Sequence, residues 1–251
     1  MAEADARPTG EGDGELPSAE SLGLSALVHR EVVASTMDLA HDLAAAGAPA
    51  GTLVLADRQA AGRGRGGHSW ASAAGAGVWM TLIARGPELA ALDVLALRIG
   101  LAVAEALTPL VRGTVRVKWP NDVFLDDGKV AGILVETRWR ERVPEWLAIG
   151  VGINRVVPDD LPAAAAVGPA VPRHALLSAV VPRLVAVTQA VGHLTPAELA
   201  AWSARDLARG RWVVAPVSGQ VTGISADGSL TLVDAAGVAM APVRSGSLRF
   251  A

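Results

Sequence analysis

The chain has 251 residues, of which 51% are hydrophobic, and its formal net charge at pH 7 is −3. This is enough apolar material for one large domain, or for a main domain with a small one. The slight acidity argues against nucleic acid as the main partner, because DNA-binding proteins usually carry a basic face. Cysteine is absent, which excludes disulfides, thiolate metal sites and a cysteine nucleophile. No apolar run reaches the length of a membrane span and the first residues lack a secretory signal, so we expect a cytoplasmic protein with no membrane role.

The first part of the chain is predicted to pass from a tail into a strand and a helix. Residues 1–21 are rich in Glu, Asp, Gly, Pro and Ala and hold almost nothing large to bury, which predicts a disordered tail. A strand is predicted over 24–33. After it, Ser35 followed three residues later by Asp38 resembles a capping box, which predicts that a helix begins there.

The middle of the chain is predicted to alternate strands with helices. Apolar residues at three- and four-residue spacing predict one long amphipathic helix over 88–107. A second helix is predicted over 173–192, kinked or divided at Pro182, and a third begins at the capping box of Thr195 and Glu198. Strands are predicted over 52–57, 77–84, 115–120, 123–125, 129–136 and 146–154.

The sequence pattern changes in the last part of the chain, where short apolar runs are separated by Gly, Asp and Ser. This pattern predicts a separate small β barrel. Its strands are predicted over 212–215, 220–224, 230–233, 238–242 and 247–250. The chain is therefore divided into a disordered tail over 1–21, a main domain over 22–208 and a small β-barrel domain over 209–251.

The most unusual stretch lies between two predicted strands and reads Gly62-Arg63-Gly64-Arg65-Gly66-Gly67-His68-Ser69-Trp70. Glycine lets backbone N–H groups approach a ligand closely, and each arginine adds a fork of donors suited to phosphate or carboxylate. The glycine spacing matches the dinucleotide-binding fingerprint, but no helical period follows it, and the Walker pattern also fails. We interpret the stretch as an anion-binding loop that is mobile when empty and closes over its ligand. A plain flexible surface loop is the alternative.

A second candidate stretch, Lys118-Trp119-Pro120-Asn121-Asp122, follows a predicted strand, and Lys129 begins another. Each part alone is compatible with an ordinary strand end and an edge lysine. Together, Lys118, Asn121, Asp122 and Lys129 would converge near the arginine loop, supplying cations for a phosphate and a carboxylate that could orient a metal or a ribose. The histidines outside the loop lack the spacing of metal ligands and are interpreted as surface or packing residues.

In combination, these two motifs resemble the catalytic domain of biotin–protein ligases, from about Leu24 to the C-terminus. Supporting matches are Ser35-Thr36, Gln59 and Gly150-Val151-Gly152-Ile153-Asn154. The resemblance implies an α+β fold of the class II synthetase type: a central mixed β-sheet covered by helices, with a small C-terminal SH3-like barrel. It also implies an ATP-dependent ligase. Biotin and MgATP would give biotinyl-5′-AMP and pyrophosphate, and biotin would then pass to one lysine of a biotin carboxyl carrier domain of a carboxylase.

The resemblance also implies a role for each matched residue. The biotin site would comprise Ser35, Thr36, Gln59, Gly62, Arg63, Gly64, Arg65 and Lys129. The nucleotide site would comprise Arg63, Arg65, His68, Trp70, Lys118, Asn121, Asp122 and Asn154. Lys129, Arg63 and Arg65 would be the catalytic residues, because adenylation brings two anions together and builds charge on phosphorus. The implied cofactors are ATP and Mg²⁺, with Asp122 the one protein candidate for the metal.

Three positions depart from the usual pattern of the family. Met37 replaces an asparagine, Gly66 a basic residue and His68 an arginine. We therefore expect a weaker, pH-sensitive hold on the adenylate, because histidine is only partly charged near neutrality. The residues before Leu24 cannot build the winged-helix domain of some relatives, so we expect a monofunctional enzyme that does not bind DNA. The sequence leaves homodimerisation open.

Two other functions stay open at this point. A lipoate ligase is chemically compatible with these residues, whereas octanoyltransferases of similar fold use a cysteine nucleophile that this chain lacks. A non-catalytic biotin-binding module would keep the pocket without the chemistry. The presence of Lys129, Arg63 and Arg65 argues against that second alternative.

Overall fold

The computed structural model describes residues 15–86, 88–159, 161 and 163–251. Its main feature is a seven-stranded sheet in the order β1-β2-β3-β7-β6-β5-β4, in which β1 and β2 are parallel and all other neighbours are antiparallel. The strands are β1 (Ala26–Val33), β2 (Thr52–Gln59), β3 (Gly77–Ala84), β4 (Val115–Lys118), β5 (Asp122–Leu125), β6 (Gly128–Arg140) and β7 (Val143–Asn154). The sheet is mixed, as predicted.

Helices cover both faces of this sheet. They are α1 (Thr36–Ala45), α2 (Leu89–Leu92), α3 (Leu95–Leu107), α4 (Arg173–Val187) and α5 (Pro196–Arg205). Helix α1 packs its apolar side against β2, β3 and β7, and α3 and α4 pack together within the main core. Strand β3 is buried along its whole length because it is covered on both sides. Within the described ranges, none of the helices combines the length and the apolar character that a membrane crossing requires.

A second, antiparallel sheet of four strands follows α5, and we call it the C-terminal sheet. Its strands are β8 (Trp212–Ala215), β9 (Gly219–Ile224), β10 (Leu230–Val233) and β11 (Arg249–Phe250), in the order β10-β9-β8-β11. It is consistent with the predicted SH3-like module. The strand predicted over 238–242 is wrong, because that range forms one isolated bridge, between Ala239 and Val233.

Three predicted elements differ from the structure. The long helix over 88–107 is divided into α2 and α3 at Asp93 and Val94, where the turn at Gly228 packs so closely that an added Cβ would lie 3.1 Å from a Val94 methyl group. The helix predicted over 173–192 ends at Val187, and Pro182 lies within it without dividing it. The predicted tail lies outside the described residues at 1–14. At 18–21 disorder is wrong, because a 3₁₀ turn over Glu20–Leu22 delivers Leu22 to the core with 1% exposure.

Candidate active site

A cavity lies between the sheet, the start of α1 and the glycine-arginine loop. Residues of β3, β6 and β7 form its floor, among them Thr81, Gly132 and Gly152. Many of the predicted site residues line it: Ser35, Thr36, Gln59, Arg63, Gly64, Arg65, Trp70, Asn121 and Lys129. The two distant segments that carry the cationic side chains therefore meet around one cavity. We call it the main cavity.

One side of the main cavity is a connected set of polar groups. Gln59 Oε1 accepts hydrogen bonds from the backbone N–H and the Oγ1 of Thr36, at 2.8 and 3.0 Å. Thr81 Oγ1 donates to Thr36 Oγ1 at 2.9 Å, and Gln59 Nε2 donates to Ser72 Oγ at 2.8 Å. Sequence reasoning missed Thr81. Its signal was a polar side chain inside a strand predicted to be buried, where hydrogen-bonding groups need partners.

The start of α1 differs from the predicted capping box. Ser35 Oγ accepts from the backbone N–H of Met37 at 3.2 Å, so Ser35 is the N-cap. The Asp38 carboxylate turns instead toward the loop and pairs with Arg63. Met37 is buried with 3% exposure and lines the main cavity beside Gly150, where an added Cβ would lie 2.8 Å from the Met37 methyl group. The glycine there makes room for the methionine.

The glycine-arginine loop is held in a tight hairpin by its own backbone. Gly64 N–H donates to His68 O at 2.7 Å, and Trp70 N–H donates to Gly62 O at 2.8 Å. An added Cβ at Gly62 would lie 2.5 Å from Trp70 O, so only glycine fits there. Gly66 has the positive φ of 69° that the turn requires. Gly62 thus shapes the loop but does not line the main cavity.

The two loop arginines reach in different directions. Arg63 Nη2 lies 2.7 Å from Asp38 Oδ1 and 3.2 Å from Glu136 Oε2. Arg65 Nη1 donates to Gly246 O at 2.6 Å, in the segment leading to β11 of the C-terminal sheet. The loop is therefore tied to the main sheet by one arginine and to the C-terminal sheet by the other, while both line the main cavity.

Lys129 lies at the boundary between the main cavity and a second cavity. Its Nζ pairs with Asp122 Oδ1 at 2.6 Å and lies 5.0 Å from the centre of the Trp70 ring. Lys129 and Trp70 line both cavities. The Trp70 ring packs on the bare backbone of Gly132 and Gly152, and its indole N–H is buried with no hydrogen-bond partner among the described residues.

The second cavity is mostly apolar and extends the site beyond what the sequence predicted. Its walls include Trp70 and Asn154, together with the missed residues Pro158, Leu161, Ala163 and Ala164. Asn154 Nδ2 donates to Ala165 O at 3.1 Å, which ties the segment after β7 to the end of that strand. The signal for these residues was an apolar cluster in a stretch without helical or strand periodicity.

Three predicted nucleotide-site residues line neither cavity. His68 lies in a third pocket beneath the loop, with Leu134 and Glu136. Asp122 is connected to the site by its ion pair with Lys129. Lys118 Nζ lies 5.5 Å from the rings of Phe124 and Phe250, and burial lowers its pKa, partly offset by the nearby Asp122 carboxylate.

Asn121 lines the main cavity and donates to Ile133 O at 2.7 Å.

Across the described ranges, no group of three or more His, Cys, Asp or Glu side chains is placed to hold a metal ion.

The chain matches known proteins in sequence and in structure. The model of the biotin/lipoate A/B protein ligase family matches residues 30–154. The chain is 41% identical to the bifunctional ligase/repressor BirA of Bacillus subtilis over 139 residues, which are 54% of this chain and 42% of that protein. It is 38% identical to a biotin–[acetyl-CoA-carboxylase] ligase of Mycobacterium tuberculosis over 133 residues, 49% of this chain and 48% of that protein. The chain thus spans less than half the length of these two relatives.

A solved structure agrees over a longer range. The biotin protein ligase of Aquifex aeolicus in complex with biotin and ATP superposes with a TM-score of 0.75 at 26% identity, covering 91% of this chain and 100% of that one. The agreement includes most of the chain beyond the matched family segment. Residues 30–154, which include both motifs, match the biotin/lipoate A/B protein ligase family, and this agrees with the resemblance to biotin–protein ligases predicted from those motifs.

Proposed function

We propose that the chain is a biotin–protein ligase, which activates biotin with MgATP to biotinyl-5′-AMP and pyrophosphate and then transfers biotin to a lysine of a carrier domain. One observation carries this proposal. Arg63, Arg65 and Lys129 line the same cavity as the polar group of Thr36 and Gln59. Relatives named as biotin ligases, and a similar structure described with biotin and ATP, support the choice of substrates.

The main cavity suits biotin. Its polar side offers the hydroxyl groups of Thr36 and Thr81 and the amide of Gln59 to the ureido ring, whose N–H and C=O groups need partners once they leave water. Leu134 and Val151 line the same cavity and suit the aliphatic tail. The carboxylate of the tail would then meet Lys129 and the arginines. Roles for Ser35, Gly62 and Gly64 are proposed on the same basis, with Gly62 shaping the loop.

The second cavity suits the nucleotide. An apolar pocket beside an aromatic ring fits a purine base, and Trp70 and Asn154 line this one. The buried indole N–H of Trp70 lacks a protein acceptor among the described residues, and a ligand oxygen would supply one. Because Lys129 lines both cavities, it would stand between the biotin carboxylate and the α-phosphate.

The reaction joins two anions, and this explains the concentration of cations. Arg63, Arg65 and Lys129 would neutralise the repulsion between carboxylate and phosphate on approach, and would stabilise the charge that builds on phosphorus. Lys118 and Asn121 would support this arrangement from the strand end, and His68 from beneath the loop. The closed loop would keep water from the labile adenylate until the acceptor lysine arrives.

Mg²⁺ fits the donor set as a companion of the nucleotide. Asp122 is the one candidate carboxylate, and it is already paired with Lys129 at 2.6 Å. Magnesium is commonly held by one or two carboxylates together with substrate phosphates. Here Asp122 would supply the carboxylate and ATP would supply the phosphates. When bound, the metal would neutralise phosphate charge.

The test is to incubate the protein with biotin, ATP and Mg²⁺ and to detect biotinyl-5′-AMP by mass spectrometry. Pyrophosphate exchange should depend on biotin and not on lipoate, and a carboxyl carrier domain should gain biotin on one lysine. Lys129→Ala should lower adenylate formation about 100-fold or more. Arg183→Ala, which removes a cation from the exposed surface of α4, should leave it unchanged. Exchange that follows lipoate would favour a lipoate ligase, and biotin binding without exchange would favour a non-catalytic module.

A further inference from the structure

A chain of polar contacts lies behind Arg63 and connects the loop to α1, β6 and β7. It consists of Asp38, Arg63, Glu136, His41 and Trp146, and we call it the Arg63 network. We propose that Asp38 and Glu136 are positioning residues, which orient Arg63 toward the substrate carboxylate, with His41 holding Glu136 in place. This inference rests on the proposed function and adds residues to which no role has been given.

Two carboxylates hold one end of the Arg63 guanidinium. Asp38 Oδ1 and Glu136 Oε2 both contact the same guanidinium nitrogen, Nη2, at 2.7 and 3.2 Å. A guanidinium carries five N–H donors, so contacts at Nη2 alone leave those of Nη1 and Nε for other partners. Arg63 also lines the main cavity. One end of its guanidinium is therefore fixed by the protein while the remaining donors are available to an anion.

Glu136 is itself held by His41, which is held in turn by Trp146. His41 Nε2 lies 3.0 Å from Glu136 Oε2, and the indole N–H of Trp146 donates to His41 Nδ1 at 2.9 Å. Because Nδ1 accepts, the proton of the neutral imidazole lies on Nε2 and points at the carboxylate. This fixes the tautomer of His41 and the orientation of Glu136. Trp146 is buried with 6% exposure, so the network is anchored in the core.

The exposure of these side chains favours a role in binding over a role in stability. The side chains of Asp38, Arg63 and Glu136 are 53%, 41% and 33% exposed, and ion pairs this open to water add little to the stability of a fold. An arginine on a glycine-rich loop has many rotamers, however, and ordering them on binding is costly. Carboxylates that fix one end of the guanidinium beforehand reduce that cost.

The test is a double-mutant cycle read by calorimetric binding of biotin and by pyrophosphate exchange. Asp38→Asn with Glu136→Gln should raise the Kd and the KM for biotin about tenfold, with kcat changed less and the melting temperature nearly unchanged. In an Arg63→Ala background the same two substitutions should have no further effect, because neighbours that act through one group are not additive. His41→Leu should raise the Kd less than Glu136→Gln does.

The matched control is Glu145→Gln, which removes a carboxylate that pairs with Arg140 at 3.2 Å on the β6–β7 hairpin. It should leave the Kd unchanged. An unchanged or lower Kd in the carboxylate variants, or an equal effect with and without Arg63, would overturn the inference. Binding and exchange by the wild type test the proposed function separately. A wild type without biotin-dependent exchange would refute that function. An active wild type whose variants have additive effects would refute only the positioning role.

Discussion

Gly152 gives the sharpest test of the wall between the two cavities. An alanine Cβ at this position would lie 2.6 Å from Trp70 Nε1, whereas ordinary van der Waals contact begins at 3.4 Å, so the ring would have to move by about 0.8 Å. The backbone of Gly152 cannot yield, because β7 is paired on both sides, with β3 and β6. The strain of such overpacking is typically about 1–3 kcal/mol, and part of it is relieved because Trp70 lies on a loop.

We therefore expect Gly152→Ala to lower the free energy of unfolding by about 1 kcal/mol and to raise the KM for both biotin and ATP about tenfold, since tenfold corresponds to about 1.4 kcal/mol. Thermal unfolding and pyrophosphate exchange measure the two effects. Gly150→Ala is the comparison, because its one contact closer than 3.4 Å would be with the flexible end of Met37, at 2.8 Å. Met37 lines the main cavity and not the second one. It should affect biotin and spare ATP.

Gly100→Ala, in helix α3, is the control. Its nearest neighbour would be an Ile133 methyl group at 3.8 Å, so we expect a gain of about 0.5–1 kcal/mol in stability and no change in either KM. If Gly152→Ala keeps both KM values of the wild type while Trp70 is shown to have moved, Trp70 does not form the wall between the two cavities. An equal effect of Gly152→Ala and Gly150→Ala on the KM for ATP would contradict the separation of the two cavities.

Three further predictions concern buried charge and pocket polarity. Burial raises the pKa of Asp206, so the folded state loses stability as pH rises above the ordinary aspartate pKa and the buried carboxyl ionises. Asp206→Asn should therefore have a higher melting temperature than wild type at pH 7, and an equal gain at pH 3 would contradict this. Burial lowers the pKa of Lys118, so its charge lowers the stability of the fold at pH 7. Lys118→Met should raise the melting temperature at pH 7 by about 2 °C and by less near pH 10, while adenylation falls. A lower melting temperature of the variant at pH 7 would refute this. Met37→Asn should lower the KM for biotin several-fold by adding a partner for the ureido ring, and equal KM values in exchange assays would refute a contact from this position.

Much of the fold could be predicted because its signals are local. The strand at β3 was predicted with its observed bounds, since Gly77–Ala84 is an unbroken apolar run of β-forming residues. The capping box of Thr195 and Glu198 formed as predicted, because both halves of the motif lie within one turn. The sheet was also placed well enough to bring Arg63 and Lys129 to one cavity.

What the sequence did not predict depends on contacts between distant segments. The break at Asp93 and Val94 lies where the turn at Gly228, more than 130 residues later, packs against the helix, and no local pattern encodes that contact. Asp38 matched a capping box locally but is paired with Arg63, because the loop folds back over α1. Tertiary partners decided both outcomes against the local preference.

The motif at the end of β4 shows how structure and function are combined in one stretch. Trp119 is buried with 2% exposure, and its indole N–H donates to Gly228 O at 2.9 Å, which attaches the C-terminal sheet to the main sheet. Its neighbour Lys118 contacts Phe250 of the same C-terminal sheet, and Arg65 donates to Gly246 near it. The C-terminal sheet therefore contacts the loop that carries Arg63 and Arg65 and the end of β4 that carries Lys118, whereas Lys129 lies on β6. A displacement of that sheet would move both, so the placement of charge in the site depends on a module that lines neither cavity.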